Sequence, residues 1–351
     1  MRKILFLFLA PLAFVSCDSK ISQPKNGYFT RIEMDTLIET KCSVRALTIV
    51  NDTVWFGADK GTFGYYDLTA NEKFLDTISG EHSLPEFRSI ANNGNGIFLL
   101  NVGSPALLYK VSKNGRDKKL VYKETHKDIF YDSMKFWNDK EGIAIGDPVE
   151  GCFSIIITHD GGETWKKLSC ENLPKLAEGE AAFAASNTNL VVNKKDTWIV
   201  SGGTKARVFY SPDKGKTWQV YTTPITQGLS MAGIFSADFY DENIGFIVGG
   251  NYDKPSQNSG NKALTLNGGK TWALMAENTG FGYADCVQFV PNSGGRQLVT
   301  VGFSGINYSS DQGKTWIQLS PDKGYQTIRF IDGATAVAAG KNKIAKIKFK
   351  K

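Results

Sequence analysis

The residues of this chain that could do chemistry are carboxylates, arginines and tyrosines spread widely along the sequence. Two acids held a few ångströms apart could hydrolyse a glycosidic bond, one protonating the leaving oxygen while the other attacks or activates water. Arginine and tyrosine side chains could instead bind a protein partner by charge and ring contacts. The candidates that we single out are His82, Arg88, Asp132, Asp147, Glu150, Glu180, Arg207, Tyr252 and Tyr283.

Other classes of chemistry have little support. The chain has three histidines and five cysteines without a Cys-x-x-Cys pair, which argues against a zinc ribbon, a histidine-rich metal site or thioredoxin chemistry. Gly-Lys-Thr at 215–217, 269–271 and 313–315 imitates the end of a phosphate-binding loop. The first glycine of that motif is absent, and a strand is expected to follow instead of a helix. We therefore expect no metal, no nucleotide and no cofactor.

The composition is that of a folded protein. The 351 residues are 41% hydrophobic and 22% charged, with a formal net charge of +6. A net positive charge this small does not indicate a nucleic-acid-binding protein.

An octapeptide with the pattern [ST]-x-[DN]-x-G-x-T-W occurs four times and indicates the elements that position the candidates. Its Asp or Asn can accept backbone N–H bonds within one turn, glycine allows a positive φ, and tryptophan packs between sheets. Each copy lies between two β-type runs, so we interpret it as the turn between the third and fourth strands of a sheet. The structural residues are Asp160, Trp165, Asp213, Trp218, Asn267, Trp272, Asp311 and Trp316.

A second repeat extends the pattern along the chain. Seven apolar runs end in glycine, at Gly57, Gly103, Gly146, Gly202, Gly249, Gly302 and Gly340. Their mean spacing of about 47 residues is typical of propeller blades. Each run has an upstream strand that we predict to be innermost: Arg45 to Val50, Phe87 to Ala91, Ser133 to Trp137, Ala181 to Ser186, Ser236 to Tyr240, Cys286 to Val290 and Thr327 to Ile331.

The sequence therefore predicts an all-β fold, a seven-bladed β-propeller over residues 28–351. After Gly340 only one further strand is available, Ile344 to Phe349. We expect the N-terminal segment Tyr28 to Thr36 to pair with it and close the ring, because closure removes exposed sheet edges.

The N-terminus predicts export and a lipid anchor. Arg2 and Lys3 precede an apolar run that is short for a membrane span and ends in Val15-Ser16-Cys17. This ending resembles a bacterial lipobox. We interpret residues 1–16 as a lipoprotein signal peptide, Cys17 as the lipid attachment site and residues 17–27 as a flexible tether. The alternative is an ordinary secretory signal followed by a fortuitous cysteine. The expected location is the cell envelope, at the outer membrane.

The spacing of the cysteines predicts one disulfide. Cys152 and Cys170 lie the same number of residues before and after Gly161, so antiparallel pairing of the hairpin should place them opposite each other. Two free thiols are the alternative, because a register slip of one residue would put them on opposite faces. Cys42 and Cys286 are predicted to be unpaired.

The octapeptide resembles the Asp-box, also called the bacterial neuraminidase repeat. The run from Phe239 to Gly250 followed by an Asp-box is similar to the photosystem II stability/assembly factor family, and to lipoprotein members of it from non-photosynthetic bacteria. That resemblance implies a non-enzymatic assembly factor. A more distant similarity to sialidases rests on the Asp-boxes alone, and Arg31-Ile32-Glu33 lacks the proline expected after the arginine and isoleucine in that family.

The leading functional hypothesis is a non-enzymatic envelope lipoprotein. Its propeller would dock a protein or glycan partner, within an envelope complex, through the face opposite the Asp-box turns. The nine candidates map onto that face. The rival hypothesis is a sialidase-like glycoside hydrolase that uses paired acids on the same face.

Overall fold

The computed structural model describes residues 28–80 and 83–351. These residues form β-strands joined by turns, and their one helical element is the short 3-10 turn Cys170–Asn172. The predicted signal peptide, Cys17, the tether and His82 lie outside the described residues. The strands in chain order are β1 (Arg31–Val50), β2 (Thr53–Ala58), β3 (Thr62–Asp67), β4 (Glu72–Thr77), β5 (Phe87–Asn92), β6 (Ile97–Asn101), β7 (Ala106–Val111), β8 (Lys118–Glu124), β9 (Tyr131–Phe136), β10 (Gly142–Val149), β11 (Cys152–Thr158), β12 (Lys166–Lys167), β13 (Glu180–Ala181), β14 (Leu190–Asn193), β15 (Asp196–Val200), β16 (Gly202–Gly203), β17 (Arg207–Ser211), β18 (Gln219–Thr222), β19 (Ala232–Phe239), β20 (Gly245–Asn251), β21 (Lys262–Thr265), β22 (Ala273–Leu274), β23 (Cys286–Phe289), β24 (Leu298–Gly302), β25 (Gly305–Ser309), β26 (Ile317–Ser320), β27 (Tyr325–Phe330) and β28 (Thr335–Lys350).

The described strands form six antiparallel sheets arranged as a β-propeller. Four sheets have four strands each: β5 to β8, β9 to β12, β14 with β15, β17 and β18, and β23 to β26. The sheet β19 to β22 carries the two short strands β13 and β16 at its inner edge, and the sixth sheet has the order β27-β28-β1-β2-β3-β4. The innermost strands contact one another in the order β1, β5, β9, β14, β19, β23, β27 and back to β1, which closes the ring.

The prediction of seven blades is wrong when blades are counted as continuous hydrogen-bonded sheets, because the structure has six. The reason lies in β1, which pairs with β28 from Arg31 to Ser43 and with β2 from Val44 to Val50. One strand thereby joins the last strands of the chain to the first ones, and the sheets that were expected to be separate become one sheet of six strands.

The predicted closure of the ring by an N-terminal strand is confirmed. Arg31 lies opposite Lys350, and the pairing continues through Glu33 opposite Lys348 and Asp35 opposite Lys346. β28 reverses direction near Asn342, which has a φ of 66°, so that its second half runs beside β1. Acidic side chains of β1 thus face lysines of β28 across the closing pair, and such cross-strand pairs of opposite charge are favourable.

The four octapeptides form the turns that the sequence predicts. In the second copy, Asp213 Oδ1 accepts hydrogen bonds from Thr217 N at 2.8 Å and Lys216 N at 3.1 Å. Ser211 Oγ accepts the N–H of Gly215 at 2.8 Å, and the φ of Gly215 is 81°, a conformation that side chains disfavour. Trp218 Nε1 donates to Gly215 O at 3.1 Å. The Asp213 side chain therefore closes the turn, and the Trp218 indole packs over it.

The centre of the propeller is filled by residues 182–189, which we call the central segment. The prediction of an innermost strand from Ala181 to Ser186 is wrong, because β13 ends at Ala181 and β14 starts only at Leu190. Asn187 has a φ of 58°, which an extended strand does not allow. The segment satisfies its polar groups through bonds to other sheets instead of a ladder.

Those bonds reach strands on several sides of the ring. Asn187 Nδ2 donates to Ile90 O of β5 at 2.7 Å, and Ser186 Oγ donates to Asp285 O beside β23 at 2.7 Å. Arg329 Nη2 of β27 donates to Ser186 O at 3.0 Å. All residues of the segment from Ala184 to Asn189 are buried, so the centre of the ring is packed.

Cys152 and Cys170 form a disulfide with their Cα atoms 5.6 Å apart. Cys42 and Cys286 are free and buried. Within the described residues no helix has the length and apolar character needed to cross a membrane.

Candidate functional site

The propeller has two unlike faces. We call the face that carries the Asp-box turns the lower face, and the opposite one the upper face. The upper face is made of the turns between second and third strands and of the connections between sheets, such as 251–262, 303–304 and 321–324. The eight described candidates all lie at strand ends or connections of this upper face.

The structure separates these eight residues into groups instead of joining them in one site. Glu150 is exposed in the turn between β10 and β11, with a φ of 61°. Arg88 pairs locally with Glu86, with Nε and Oε1 2.6 Å apart. The other six fall into a carboxylate group near β9, β10 and β17 and a tyrosine pair near β20 and β23.

Glu180 and Arg207 form a buried ion pair. Arg207 Nε donates to Glu180 Oε1 at 2.9 Å, and its Nη2 bonds the other carboxylate oxygen. Ser201 Oγ donates to Oε1 at 2.6 Å and Ala177 N donates to Oε2 at 2.9 Å. Because both oxygens of the Glu180 carboxylate are bonded and its side chain is inaccessible, this carboxylate holds the structure together, whereas the Arg207 side chain stays partly exposed.

Asp132 and Asp147 form an unusual acidic pair. Asp132 is fully buried, and neither of its carboxylate oxygens has a hydrogen-bond partner among the described residues. Asp147 is half-buried and accepts the N–H of Ala182 at 2.9 Å. Burial raises the pKa of both carboxyls, and for Asp132 the nearby charge of Asp147 raises it further while Arg88 opposes the change. At least one of the two therefore holds a proton more readily than a free aspartic acid does.

Asp147 and Glu180 line an open pocket of about 670 Å³. It lies beside the turn between β10 and β11 and the connection that leads to β13. Its wall is the connection from the disulfide to the central segment, in which Leu176 N donates to Gly151 O at 3.0 Å. The lining residues are Asp128, Asp147, Pro148, Gly151, Leu176, Ala177, Glu178, Gly179, Glu180, Ala181 and Ser230. None of these is basic, so the pocket is negatively charged.

A second pocket, which we call the aromatic pocket, has a volume of about 270 Å³ and lies above the central segment. Its lining residues are Arg45, Tyr252, Pro255, Tyr283, Asp285, Phe303, Lys323 and Gln326. Tyr252 and Tyr283 are the two candidates found here. Phe303 and Lys323 could not be singled out from the sequence, since neither belongs to a repeat motif.

Buried polar contacts fix the floor of the aromatic pocket. Tyr283 OH donates to Asp285 Oδ1 at 3.0 Å, and Arg45 Nη1 lies 3.8 Å from the same oxygen. Burial raises the pKa of Asp285 to about 6, with Arg45 and Tyr283 acting in the opposite direction. Arg45 Nη1 also donates to Ala185 O of the central segment at 3.3 Å. The floor is therefore rigid and nearly neutral in charge.

The rim of the aromatic pocket is exposed and cationic. Tyr252 is 48% exposed and Phe303 is 43% exposed. Lys323 Nζ lies 4.2 Å from the centre of the Phe303 ring, close enough for a cation–π contact. Phe303 lies in the two-residue turn between the paired residues Gly302 and Gly305. Gly305 has to be glycine, because a Cβ there would come within 2.1 Å of Ser320 O.

An aromatic stack joins this rim to the centre of the propeller. Phe183 of the central segment stacks on Phe235 with ring centres 4.1 Å apart, and Tyr283 meets Phe235 edge-on at 4.7 Å. Tyr252 in turn meets Tyr283 edge-on at 5.3 Å. These contacts hold exposed Tyr252 on a buried aromatic base, which is how anchoring residues of protein interfaces are commonly supported.

The described residues contain no group of three or more histidine, cysteine or acidic side chains arranged to hold a metal ion. The described residues can bind by ring contact, charge and hydrogen bonding, and Asp147 places a carboxyl group with a raised pKa at an open pocket.

Comparison with known proteins supports the repeat and the fold. The BNR/Asp-box repeat family matches residues 156–167, which include the whole of the first octapeptide, residues 158–165. No curated protein matches the chain.

Solved structures of similar architecture are propellers. The structure described as YCF48 bound to D1 peptide has a TM-score of 0.66 at 15% identity, covering 94% of this chain and 98% of that one. YCF48 from Cyanidioschyzon merolae has a TM-score of 0.63 at 14% identity, covering 90% and 98%. The GH74 xyloglucanase from Xanthomonas campestris has a TM-score of 0.66 at 12% identity, covering 89% of this chain and 53% of that one. At these identities the likenesses show the fold alone.

Proposed function

We propose that this chain is a non-enzymatic docking protein that binds a segment of a partner protein in the aromatic pocket of its upper face. The observation that carries the proposal is the exposed pair Tyr252 and Phe303 beside Lys323, above a packed centre. Large apolar side chains exposed together around a pocket, with a cation at the rim, are typical of protein-binding surfaces. A similar propeller described as bound to a peptide adds support by analogy of fold.

The chemistry of the pocket favours a particular kind of segment. Asp285 is buried and already contacts Tyr283 and Arg45, which leaves the amine of Lys323 as the accessible charge. The segment should therefore present an apolar or aromatic side chain next to a carboxylate. Electrostatic complementarity of this kind raises the association rate and selects the partner.

The experiment compares capture of a partner by matched surface variants. We would change Phe303→Ala and Lys323→Glu on the upper face, with Leu266→Ala as the control, since Leu266 is an exposed apolar residue in an Asp-box turn. Proteins retained from detergent-solubilised envelopes are then quantified for each variant. The proposal expects one partner to be lost from the two upper-face variants and retained by the control. Equal retention by all three would overturn it.

Charge reversal at Glu180 or Arg207 is not a suitable test of docking. Each is bonded to the other and Glu180 is inaccessible, so either reversal would leave a buried charge without a partner. Loss of binding in such variants would report a damaged fold.

The proposal includes anchoring of the chain to the cell envelope by lipid at Cys17, at the outer membrane. It rests on the basic start, the apolar run and the Val15-Ser16-Cys17 ending. Wild-type protein should incorporate a fatty-acid label and fractionate with membranes, whereas Cys17→Ser protein should do neither. Membrane retention of Cys17→Ser without any label in the wild type would contradict this part of the proposal.

A glycoside hydrolase remains the second candidate, because of Asp132 and Asp147. A carboxyl group whose pKa is raised by burial is suited to act as a general acid, and Asp147 lines an open pocket. A propeller of similar fold is a xyloglucanase. Turnover of a glycan by the purified protein, abolished by Asp147→Asn with unchanged thermal stability, would favour this candidate over docking.

A further inference from the structure

A third pocket, which we call the outer pocket, opens on the upper face between the sheet β19 to β22 and the sheet β23 to β26. Its volume is about 500 Å³, within the range of small-molecule sites. Its lining residues are Ser256, Gly280, Phe281, Gly282, Phe303, Ser304, Asn307, Trp316, Gln318 and Lys323. The lining is thus aromatic, hydroxyl and amide, with one charged side chain.

Asn307 is the informative residue of this pocket. It lies on β25, it is only 5% exposed, and its side chain makes no hydrogen bond with any described residue. Unlike Thr300 Oγ1, the amide atoms of Asn307 keep some contact with solvent, so they face the pocket and are not enclosed by protein. The side chain of Asn307 offers two N–H donors and one carbonyl acceptor to whatever enters the pocket.

Asn307 is part of a polar row that crosses the sheet. It lies opposite Thr300 on β24 and opposite Gln318 on β26. Thr300 Oγ1 is buried and also lacks a hydrogen-bond partner. Gln318 Nε2 donates to Ser304 O at 2.8 Å, and this bond holds the Gln318 amide at the pocket.

The interface between the sheet β19 to β22 and the sheet β23 to β26 is apolar at its end away from the upper face. Leu298 and Val287 pack there with Phe246 in one buried cluster. Because Leu298 and Thr300 lie on the same face of β24, the change from leucine to threonine marks where apolar packing between the sheets gives way to the polar row. Packing alone gives no reason for polar residues at these positions.

Aromatic rings form the walls around the polar floor. Phe281 meets Trp316 edge-on with ring centres 4.7 Å apart, and Trp316 Nε1 donates to Gly313 O at 3.0 Å. Because the indole N–H is already bonded, Trp316 offers the pocket its apolar ring surface. Phe303 adds an exposed ring at the border with the aromatic pocket.

We propose that the outer pocket binds a saccharide unit. A sugar ring has an apolar face of C–H groups that can pack on aromatic rings, and its hydroxyls both donate and accept hydrogen bonds. Neighbouring hydroxyls match the donor and acceptor of a free asparagine amide. The single cation, Lys323, favours a neutral or an anionic sugar over a cationic one. The outer pocket adjoins the aromatic pocket and shares Phe303 and Lys323 with it, whereas Asn307 and Gln318 line the outer pocket alone. Binding of a saccharide does not require that a protein segment dock in the aromatic pocket.

The test titrates purified chain with four monosaccharides, namely glucose, galactose, N-acetylglucosamine and glucuronic acid, and follows ligand signals by saturation-transfer NMR. Binding of at least one sugar is expected, in the millimolar range that is common for a single small ligand. Asn307→Leu and Gln318→Ala should each weaken it by about fivefold or more, as expected for a lost hydrogen bond. Gln318 is exposed, so its variant should fold normally.

Tyr252→Ala is the matched control, because Tyr252 borders the aromatic pocket and not the outer pocket. Sugar binding by this variant should equal that of the wild type, even if capture of a protein partner is lost. Thermal unfolding confirms that each variant is folded. Binding of none of the four sugars, or unchanged binding in both Asn307→Leu and Gln318→Ala, would overturn the proposal.

Discussion

Glu180 and Arg207 lie 27 residues apart in the sequence, and they meet in a two-point ion pair beneath the upper face. Ser201 Oγ and Ala177 N complete the bonding of the carboxylate. The pair links β13 to β17 and so fixes the connection that leads into the central segment.

Replacement of Glu180 should therefore destabilise the fold strongly. Glu180→Ala leaves the guanidinium of Arg207, whose side chain is only 19% exposed, without its carboxylate partner. We expect a loss of about 3–5 kcal/mol in the free energy of unfolding, as for other buried pairs from which one partner is removed. Urea unfolding followed by tryptophan fluorescence measures this loss.

Glu86 and Arg88 provide the control, because both side chains of this pair are partly exposed, 38% and 28%, whereas Glu180 is inaccessible. Glu86→Ala should cost no more than about 1 kcal/mol. Equal losses for Glu180→Ala and Glu86→Ala would contradict the distinct role of the buried pair.

Asp132 should make the protein more stable as the pH falls. Its pKa is raised mainly by burial, so the folded state binds a proton more readily than the unfolded state does. This contribution is fully present below the ordinary value of 3.8 and is lost as the pH rises through the raised pKa. Stability can change by at most about 1.4 kcal/mol per pH unit for one proton.

Asp132→Asn isolates this effect because asparagine keeps the shape without the charge. At pH 8 the variant should unfold at higher urea than the wild type, and the difference should shrink as the pH is lowered toward 5. Asp52→Asn, at an exposed position, is the control and should leave the pH dependence unchanged. A variant of Asp132 with the same pH dependence as the wild type would show that burial of this carboxyl has no energetic consequence.

The Asp-box at 211–218 should tolerate asparagine better than alanine. Asp213 accepts bonds from Thr217 N at 2.8 Å and from Thr217 Oγ1 at 2.7 Å. Asp213→Ala removes these bonds, and because water can reach the exposed Thr217 the change should cost about 0.5–1.5 kcal/mol. Asp213→Asn should cost much less, because Asn267 already serves in the third copy, where its Nδ2 donates to Thr271 Oγ1 at 2.8 Å. Differential scanning calorimetry of the two variants checks the order.

The disulfide between Cys152 and Cys170 should stabilise the fold by linking β11, in the sheet β9 to β12, to the 3-10 turn that follows this sheet. It closes a loop with a sequence separation of 18, for which chain entropy predicts about 3 kcal/mol. The double variant with both cysteines changed to serine should lose this amount, and dithiothreitol should lower the unfolding midpoint of the wild type but not of the variant. Peptide mapping without reduction should find Cys42 and Cys286 as free thiols. Recovery of Cys152 and Cys170 as free thiols would remove the basis of this prediction.

The repeats made much of the fold predictable, because they are local. Each Asp-box contains its own hydrogen-bonding turn, as the bonds of Asp213 to Thr217 show, so a pattern of eight residues predicts a hairpin. The closing strand was predictable because Ile344 to Phe349 needed a partner and the N-terminal segment was free to supply it.

The central segment was not predictable in the same way. Ala182 to Ala185 has the apolar character of a strand, and the polar run from Ser186 to Asn189 was the sole local signal of a different structure. Its bonds run to Ile90, Asp285 and Arg329, which are distant in sequence. The aromatic pocket and the outer pocket could not be predicted for the same reason. Phe303, Lys323 and Asn307 become candidate binding residues only through their neighbours on other strands.

The pairing of Arg31 with Lys350 places both ends of the described chain beside each other, on the edge that carries the Asp-box turns. A group joined directly to either of these ends therefore lies on the side of the propeller opposite the upper face. A complex built on that face would stack outward from the point of attachment, separated from it by the full thickness of the propeller. For the proposed lipid anchor, the length of the strands adds to whatever distance residues 17–27 span between the membrane and a partner on the upper face.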